Sequence, residues 1–346
     1  MNKRLRFGIV GVGRRGLRHL KALKEFKEVE VACACDIDET KLKRVVDEYG
    51  VKAYKDLDEM FNREKIDVVI ISTPIVYHVP QALICLRKGS NVILEKPVSL
   101  SLSELKELLK VTKESKKLVV VGFQLRYSEL VDLIKDVIDK RTLSMLAGYW
   151  YWTIPLVPWI RKRDLAGGQI VEQAVHLVDL FRYLAGDVEK VSAFYTEKGR
   201  DFNEDLKSGF MNWASYTVIF KFKNDVVGSL HTTYALYPGI FKKEEGHSVT
   251  LDVICRELLV RYVPGVEVKV FRKGEETKTY RSSTNPLIRM YRVIIDALLT
   301  GDWSIVRTPY EDSYKTMVTV LAANESARSE RVVCIDEYEK GLIRKI

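Results

Sequence analysis

The sequence predicts an α/β protein: a doubly wound parallel sheet, followed by an α+β domain on an open, largely antiparallel sheet. Two patterns carry this. Up to Phe123, short β-branched runs ("LRFGIVG", "VEVACACD", "DVVIIST", "NVILE", "LVVVGF") alternate with helical segments, and continuous apolar strands of that kind belong to parallel sheets covered on both faces. Beyond it, strands follow one another from Val188 to Arg281, with helices grouped before and after them, which is the order of an α+β layer. A chain of 346 residues exceeds what one core usually serves. Two domains are expected, residues 1–123 and 124–346.

The helix after the first strand is expected over Leu17–Phe26, where Leu17, Leu20 and Leu23 share a face. Helices at Glu39–Tyr49, Tyr77–Lys88 and Ser101–Lys116 separate the later strands. In the second domain, helices are expected at Glu129–Lys140 and Ile170–Leu184 ahead of the strand succession, and at Pro286–Leu299 and Tyr310–Ser329 behind it. The run "VVCI" closes the chain as a short strand.

The net charge is +9, from 56 basic and 47 acidic residues. The two signs interleave along most segments, as in "KALKEFKEVE", so the excess reads as a solvated mixed surface and no nucleic-acid partner is expected. Of the five cysteines, Cys33, Cys35, Cys85, Cys255 and Cys334, none form a C-x-x-C pair and three lie in apolar runs. They read as small core residues in a reducing compartment. Apolar runs are strand-sized and broken by charge, and no charged-then-apolar leader precedes the first strand. The chain is therefore expected to be cytoplasmic, with no membrane span.

Between the first strand and the first helix stands Gly11-Val12-Gly13-Arg14-Arg15-Gly16. The glycines of G-x-G-x-x-G let backbone N–H groups approach a pyrophosphate at the positive end of the helix. Alone the motif also fits a tight turn, but Asp36 lies 20 residues beyond Gly16, at the end of the second strand, where a carboxylate takes the adenosine ribose hydroxyls. Asp36 and Ile37 offer nothing to hold a 2′-phosphate, so NAD is expected over NADP; Arg14 and Arg15 pull the other way. This is the signature of a Rossmann domain.

In such a sheet the cofactor crosses the carboxyl ends of the strands where strand order reverses. Ser72, Thr73 and Pro74 end the "DVVIIST" strand, and His78 starts the helix after it. Glu95-Lys96-Pro97 ends "NVILE", and Gln124 and Arg126 follow the last strand of the domain. Pro97 restricts the backbone of Lys96, a constraint with little purpose for a free surface side chain. Arg126 has two open readings, a substrate or cofactor contact and an interdomain salt bridge. In the second domain Gly167 and Gly168 precede a helix on which Glu172, His176 and Asp179 fall at i, i+4 and i+7. That stripe fits a buried histidine held by an acid; it also fits a general base oriented by Glu172, with Asp179 structural. No metal is expected. Trp159, just before the glycine pair, is a candidate wall beside the cofactor or a sugar-stacking platform. His19, His231 and His247 read as structural.

Taken together, G-x-G-x-x-G, "STP" with its histidine, "EKP", "GGQIVEQAVHLVDLFRYLAG" and "EDSYKTMVTVLAANESARSERVV" resemble the Gfo/Idh/MocA oxidoreductase family over nearly the whole chain. The resemblance implies a nucleotide-binding domain, a substrate domain whose open sheet often forms an oligomer interface, and NAD(P)-dependent chemistry on sugars, inositols or related polyols. It implies a catalytic or substrate-binding role for Lys96 and admits a cis Lys96–Pro97 bond. The family usually has aspartate where this chain has Glu172.

The expected reaction is hydride transfer between NAD and a secondary alcohol, with Lys96 and His176 acting on the hydroxyl proton. A reductase of aldehydes, diones or imines, and a dinucleotide-binding sensor without turnover, are the alternatives. A homodimer or homotetramer is expected, because helices would cover only one face of the second sheet.

Overall fold

A computed structural model describes residues 4–200, 202–237, 239–240 and 248–342. His247 lies outside them. Chain contacts divide the protein into two units, Met1–Tyr127 with Thr284–Tyr314, and Ser128–Ser283 with Lys315–Ile346. The sequence boundary at 123 lies close to the first break, but residues 284–314 return to the first unit. The cause is the helix Pro286–Thr300, whose Leu287, Met290, Tyr291, Ile294 and Ile295 are buried in one cluster with Phe7, Ile9, Leu20 and Ile70. Local periodicity predicts such a helix; it cannot say which core receives its apolar face.

The first unit holds strands β1 (Leu5–Val10), β2 (Val29–Cys35), β3 (Lys52–Tyr54), β4 (Val68–Ile71), β5 (Asn91–Leu94) and β6 (Val119–Val121) in the order β3-β2-β1-β4-β5-β6. All neighbours pair in parallel. Strands buried on both sides need apolar residues at every position, and Val68–Ile71 is buried throughout. Order reverses between β1 and β4, so the carboxyl ends of these two strands flank the switch point where dinucleotides bind in such sheets.

The second unit carries β7 (Met145–Tyr151), β8 (Val188–Thr196), β9 (Ser215–Phe222), β10 (Val227–Thr233), β11 (Val249–Cys255), β12 (Leu258–Val263), β13 (Glu267–Arg272), β14 (Lys278–Arg281) and β15 (Val333–Cys334). Their order is β14-β13-β12-β11-β7-β10-β9-β8-β15, antiparallel except for the β7–β10 pair. One face is closed by the helix Val175–Ala185, whose Phe181 meets Phe220 edge-on with ring centroids 5.6 Å apart. Gly148 and Gly228 make room for that ring: a Cβ at either would stand 3.4 or 3.3 Å from it.

The expected single helix over Ile170–Leu184 is two helices, Gln169–Glu172 and Val175–Ala185. At the break the Ala174 N–H bonds back to the Gln169 carbonyl at 2.9 Å, one residue further than an α-helix allows. The Gln169 side-chain amide donates to the carbonyls of Trp150 and Thr233, tying the short first turn to the ends of β7 and β10. Glu172 and His176 thus sit on different helices, and their i, i+4 alignment does not hold.

Candidate active site

The glycine turn follows from what each glycine meets. Gly11 has φ +86°, and a Cβ there would come within 2.8 Å of the Thr73 backbone nitrogen; at Gly16 it would stand 2.1 Å from the Gly11 carbonyl oxygen. Both are required by the protein's own packing. A Cβ at Gly13 meets nothing within 4 Å. Gly13 caps the helix Arg14–Leu23 with φ −70° and no side-chain hydrogen bond, and the first turn carries no acidic residue. The open space and the uncapped N–H groups fit a pyrophosphate at a helix N-terminus, so the residues present suit NAD.

Asp36 follows directly on β2, as the spacing requires. One carboxylate oxygen accepts the Val12 N–H at 2.9 Å and the other accepts the Asp38 N–H at 3.0 Å. The residue therefore shapes the glycine turn itself while keeping lone pairs for a ribose hydroxyl. Ile37 beyond it is 90% exposed. On the other side of the switch point Ser72 donates to the Gly11 carbonyl at 2.6 Å, and Thr73 donates to the Gln81 side-chain carbonyl at 2.7 Å. Pro74 is exposed. Val76 and Tyr77, which sequence reading passed over, are more than half exposed beside them, leaving an apolar rim at the end of β4. Arg14 is exposed and Arg15 half-buried on the first helix; Gln124 is half-buried.

His78 is buried and lies 2.8 Å from two backbone carbonyls, Pro97 at Nδ1 and Thr73 at Nε2. Burial pushes its pKa down, against the pull of both carbonyls. It fastens the turn after β4 to the turn after β5, so its link to the cofactor region runs through backbone. The Lys96–Pro97 peptide is cis, and Lys96 and Glu95 are both buried. Glu95 accepts the Lys96 N–H at 3.2 Å and pairs with His19 at 3.0 Å. Burial would raise its carboxyl, yet His19 and the charges of Arg15 and Lys96 hold it well below the usual range.

Arg126 donates to the Asp312 carboxylate at 2.6 Å and to the Arg307 carbonyl at 3.0 Å. Both partners belong to the first unit, so neither contact is interdomain; the guanidinium anchors residues 307–312 beside β6.

In the second unit His176 is buried at the start of its helix, its ring parallel to Trp150 with centroids 6.4 Å apart. Glu172 precedes it; burial and the Glu172 charge push the Tyr234 phenol well up. Asp179 accepts from Thr316 at 2.9 Å, and the same hydroxyl accepts from Arg182 at 2.8 Å, which gives it a structural task. Trp159 is half-buried in the turn Pro158–Arg161, and Arg161 clamps that segment through the carbonyls of Pro155 and Ser208. Among the described residues no group of three or more His, Cys, Asp or Glu side chains is placed to hold a metal, and no helix is long and apolar enough to cross a membrane.

Comparison with known proteins bears on the family and the fold. Residues 5–123 match the profile of an oxidoreductase family with an NAD-binding Rossmann fold, and residues 142–256 match the GFO/IDH/MocA C-terminal domain. Myo-inositol 2-dehydrogenase of Thermotoga maritima is 25% identical over 236 residues, 65% of this chain and 67% of that enzyme. Inositol 2-dehydrogenase of Salmonella typhimurium is 28% identical over 198 residues, spanning 55% of this chain and 57% of the enzyme. Among solved structures, the WlbA dehydrogenase of Chromobacterium violaceum with NADH and UDP-GlcNAcA superposes with a TM-score of 0.82 at 26% identity, over 96% of each chain. The myo-inositol 2-dehydrogenase of Lactobacillus plantarum shares the fold, with a TM-score of 0.79 at 22% identity over 96% of this chain and 99% of that one. With its turn built for NAD and both halves matched in order, this chain belongs to the GFO/IDH/MocA family of NAD-dependent oxidoreductases.

Proposed function

We propose that the protein transfers a hydride between NAD and a secondary alcohol of a sugar, inositol or related polyol. The observation that carries this reading is Lys96, buried at the carboxyl end of β5, two strands from β1 and its glycine turn on the side where order reverses. A lysine side chain at that end of the sheet is placed to donate to an alcohol oxygen that loses its proton as hydride leaves. NAD, when bound, supplies the hydride acceptor. Lys96 donates a hydrogen bond to the substrate oxygen and stabilises its developing negative charge. His176, a residue type suited to general-base work, accepts the hydroxyl proton. Gly11, Val12, Gly13 and Gly16 cradle the pyrophosphate; Asp36 takes the adenosine ribose and Ile37 lies along the adenine. Trp159 forms a wall for the substrate ring. Arg126, which donates to the Asp312 carboxylate and the Arg307 carbonyl, anchors residues 307–312. The named inositol dehydrogenases and the UDP-sugar complex among its relatives support a polyhydroxylated substrate.

The cysteines support a cytoplasmic location: all five are free, four of them buried, and burial pushes the Cys33 and Cys35 thiols up to about 12, as suits a reducing compartment. A panel of inositols, aldoses, amino sugars and nucleotide sugars, scored by NADH absorbance, tests the function. Turnover of at least one secondary alcohol is expected; turnover confined to aldehydes, diones or imines would favour the reductase reading.

A further inference from the structure

Three buried polar side chains with no part in the proton transfer meet behind Lys96. His19 comes from the helix Arg14–Leu23, Glu95 from the end of β5, and Tyr291 from the helix Pro286–Thr300. Their exposures are 2%, 8% and 0%. His19 Nε2 lies 3.0 Å from one Glu95 oxygen, and the Tyr291 hydroxyl lies 2.7 Å from His19 Nδ1. The two rings meet edge-on, with centroids 5.9 Å apart and planes at 87°. The second Glu95 oxygen accepts the Lys96 backbone N–H.

One hydrogen-bond assignment satisfies every group: Tyr291 donates to Nδ1, and the Nε2–H of His19 donates to the carboxylate. Burial and the nearby Glu95 charge push the Tyr291 phenol far up, so it remains a donor. Such a chain in a core is dearer than apolar side chains of the same volume unless it serves geometry. Here it links the helix that opens with the glycine turn to the peptide of the lysine.

We propose that His19 is a positioning residue for Lys96: oriented by Tyr291, it locks the Glu95 carboxylate so that its second oxygen fixes the Lys96 amide and its charge stays beside the lysine. The proposal rests on the reading of Lys96 as catalytic. Besides His19, the charged and titratable groups facing Glu95 are Arg15 and Arg18 on the first helix, Lys96 itself, His78 on the helix His78–Arg87, and Tyr291. Removing the imidazole leaves the carboxylate buried with its strongest hydrogen bond gone, so its pKa must rise.

The test uses His19→Leu, His19→Gln and Tyr291→Phe in the full chain, with the best alcohol from the panel. His19→Leu is expected to lower kcat about tenfold or more while NAD affinity and KM stay within about twofold. His19→Gln, whose amide can donate to Glu95 and accept from Tyr291, is expected to restore the rate. A parallel loss of NAD affinity, or no rescue by His19→Gln, would mean that His19 merely packs the first helix, and would overturn the proposal. Should His19→Leu fail to fold, Tyr291→Phe decides: a smaller fall in kcat with NAD affinity and KM retained supports it, an unaltered kcat overturns it. Lys96→Met with normal turnover would instead sink the reading on which this rests; Lys96→Met inactive with His19→Leu unaltered sinks the positioning role alone.

Discussion

Gly13 separates packing from binding at a single residue. Its backbone, at φ −70°, admits any side chain, and an added Cβ would meet only open space. Gly13→Ala is therefore expected to leave the melting temperature of the cofactor-free protein unchanged and to weaken NAD binding by about tenfold or more, because the methyl stands where phosphate oxygens approach. Gly16→Ala, with its Cβ 2.1 Å from the Gly11 carbonyl oxygen, is expected to destabilise the fold itself; calorimetry and NAD titration on both variants separate the effects. Asp36→Asn keeps an acceptor for the Val12 N–H but drops the charge that repels a 2′-phosphate. It should narrow the preference for NAD over NADP, and equal affinities in the unmodified protein would defeat this account of Asp36. These residues were legible in the sequence because the motif, the strand and the carboxylate are contiguous or at fixed spacing. The partners of His19 were not: Tyr291 lies 272 positions away, and no local pattern ties a lone histidine to a tyrosine on a distant helix. The same holds for His78, whose two neighbours are backbone carbonyls and leave no mark in composition.

Among the elements, the second sheet has the clearest consequence. One of its faces carries Phe194 on β8 and Ile219 on β9, 59% and 54% exposed, with Val227 and Met145 beside them. Tyr149 and Tyr151 stack on β7 at 4.4 Å between centroids. Uncovered apolar residues in adjacent strands form a patch that association buries. The protein is expected to be a dimer or tetramer through this face, and Phe194→Asp with Ile219→Asp to yield a smaller species of unchanged secondary structure by light scattering and circular dichroism. A monomeric mass for the unmodified protein at micromolar concentration would contradict this. Strand identity and the parallel or antiparallel character of each sheet were legible because burial on two faces and on one face leave different periods in the sequence. The break after Glu172 was not. It depends on Gln169 reaching the ends of β7 and β10, contacts that a helical pattern cannot reveal.

For the molecule as a whole, buried carboxylates set its response to acid. Burial would raise Glu64, but hydrogen bonds from Lys52 and Tyr54 and the Arg6 charge hold it below the usual range, and Glu95 is held lower still. With native pKa values depressed, the unfolded chain takes up protons first as pH falls through about 4.5. The stabilisation from both groups is full above that pH and is lost progressively below it, toward their native values. The melting temperature is expected to fall steeply below about pH 4.5, and Glu64→Gln to lose its stability at neutral pH and show a shallower acid slope. The division of the chain itself was only partly legible: the break near residue 127 follows a change in pattern, whereas the return of 284–314 depends on which core the late helix enters. The claim that joins these levels is that Lys96 does chemistry on an alcohol held near bound NAD. The most direct test is single-turnover NADH formation by the unmodified protein and by Lys96→Met, His176→Ala and the double variant, with NAD affinity measured separately by fluorescence. Each single variant should lose about 10²-fold or more in rate with NAD affinity retained, and the double variant should lose less than the product of the two. NADH formation at the unmodified rate in Lys96→Met, with NAD bound, would contradict the account.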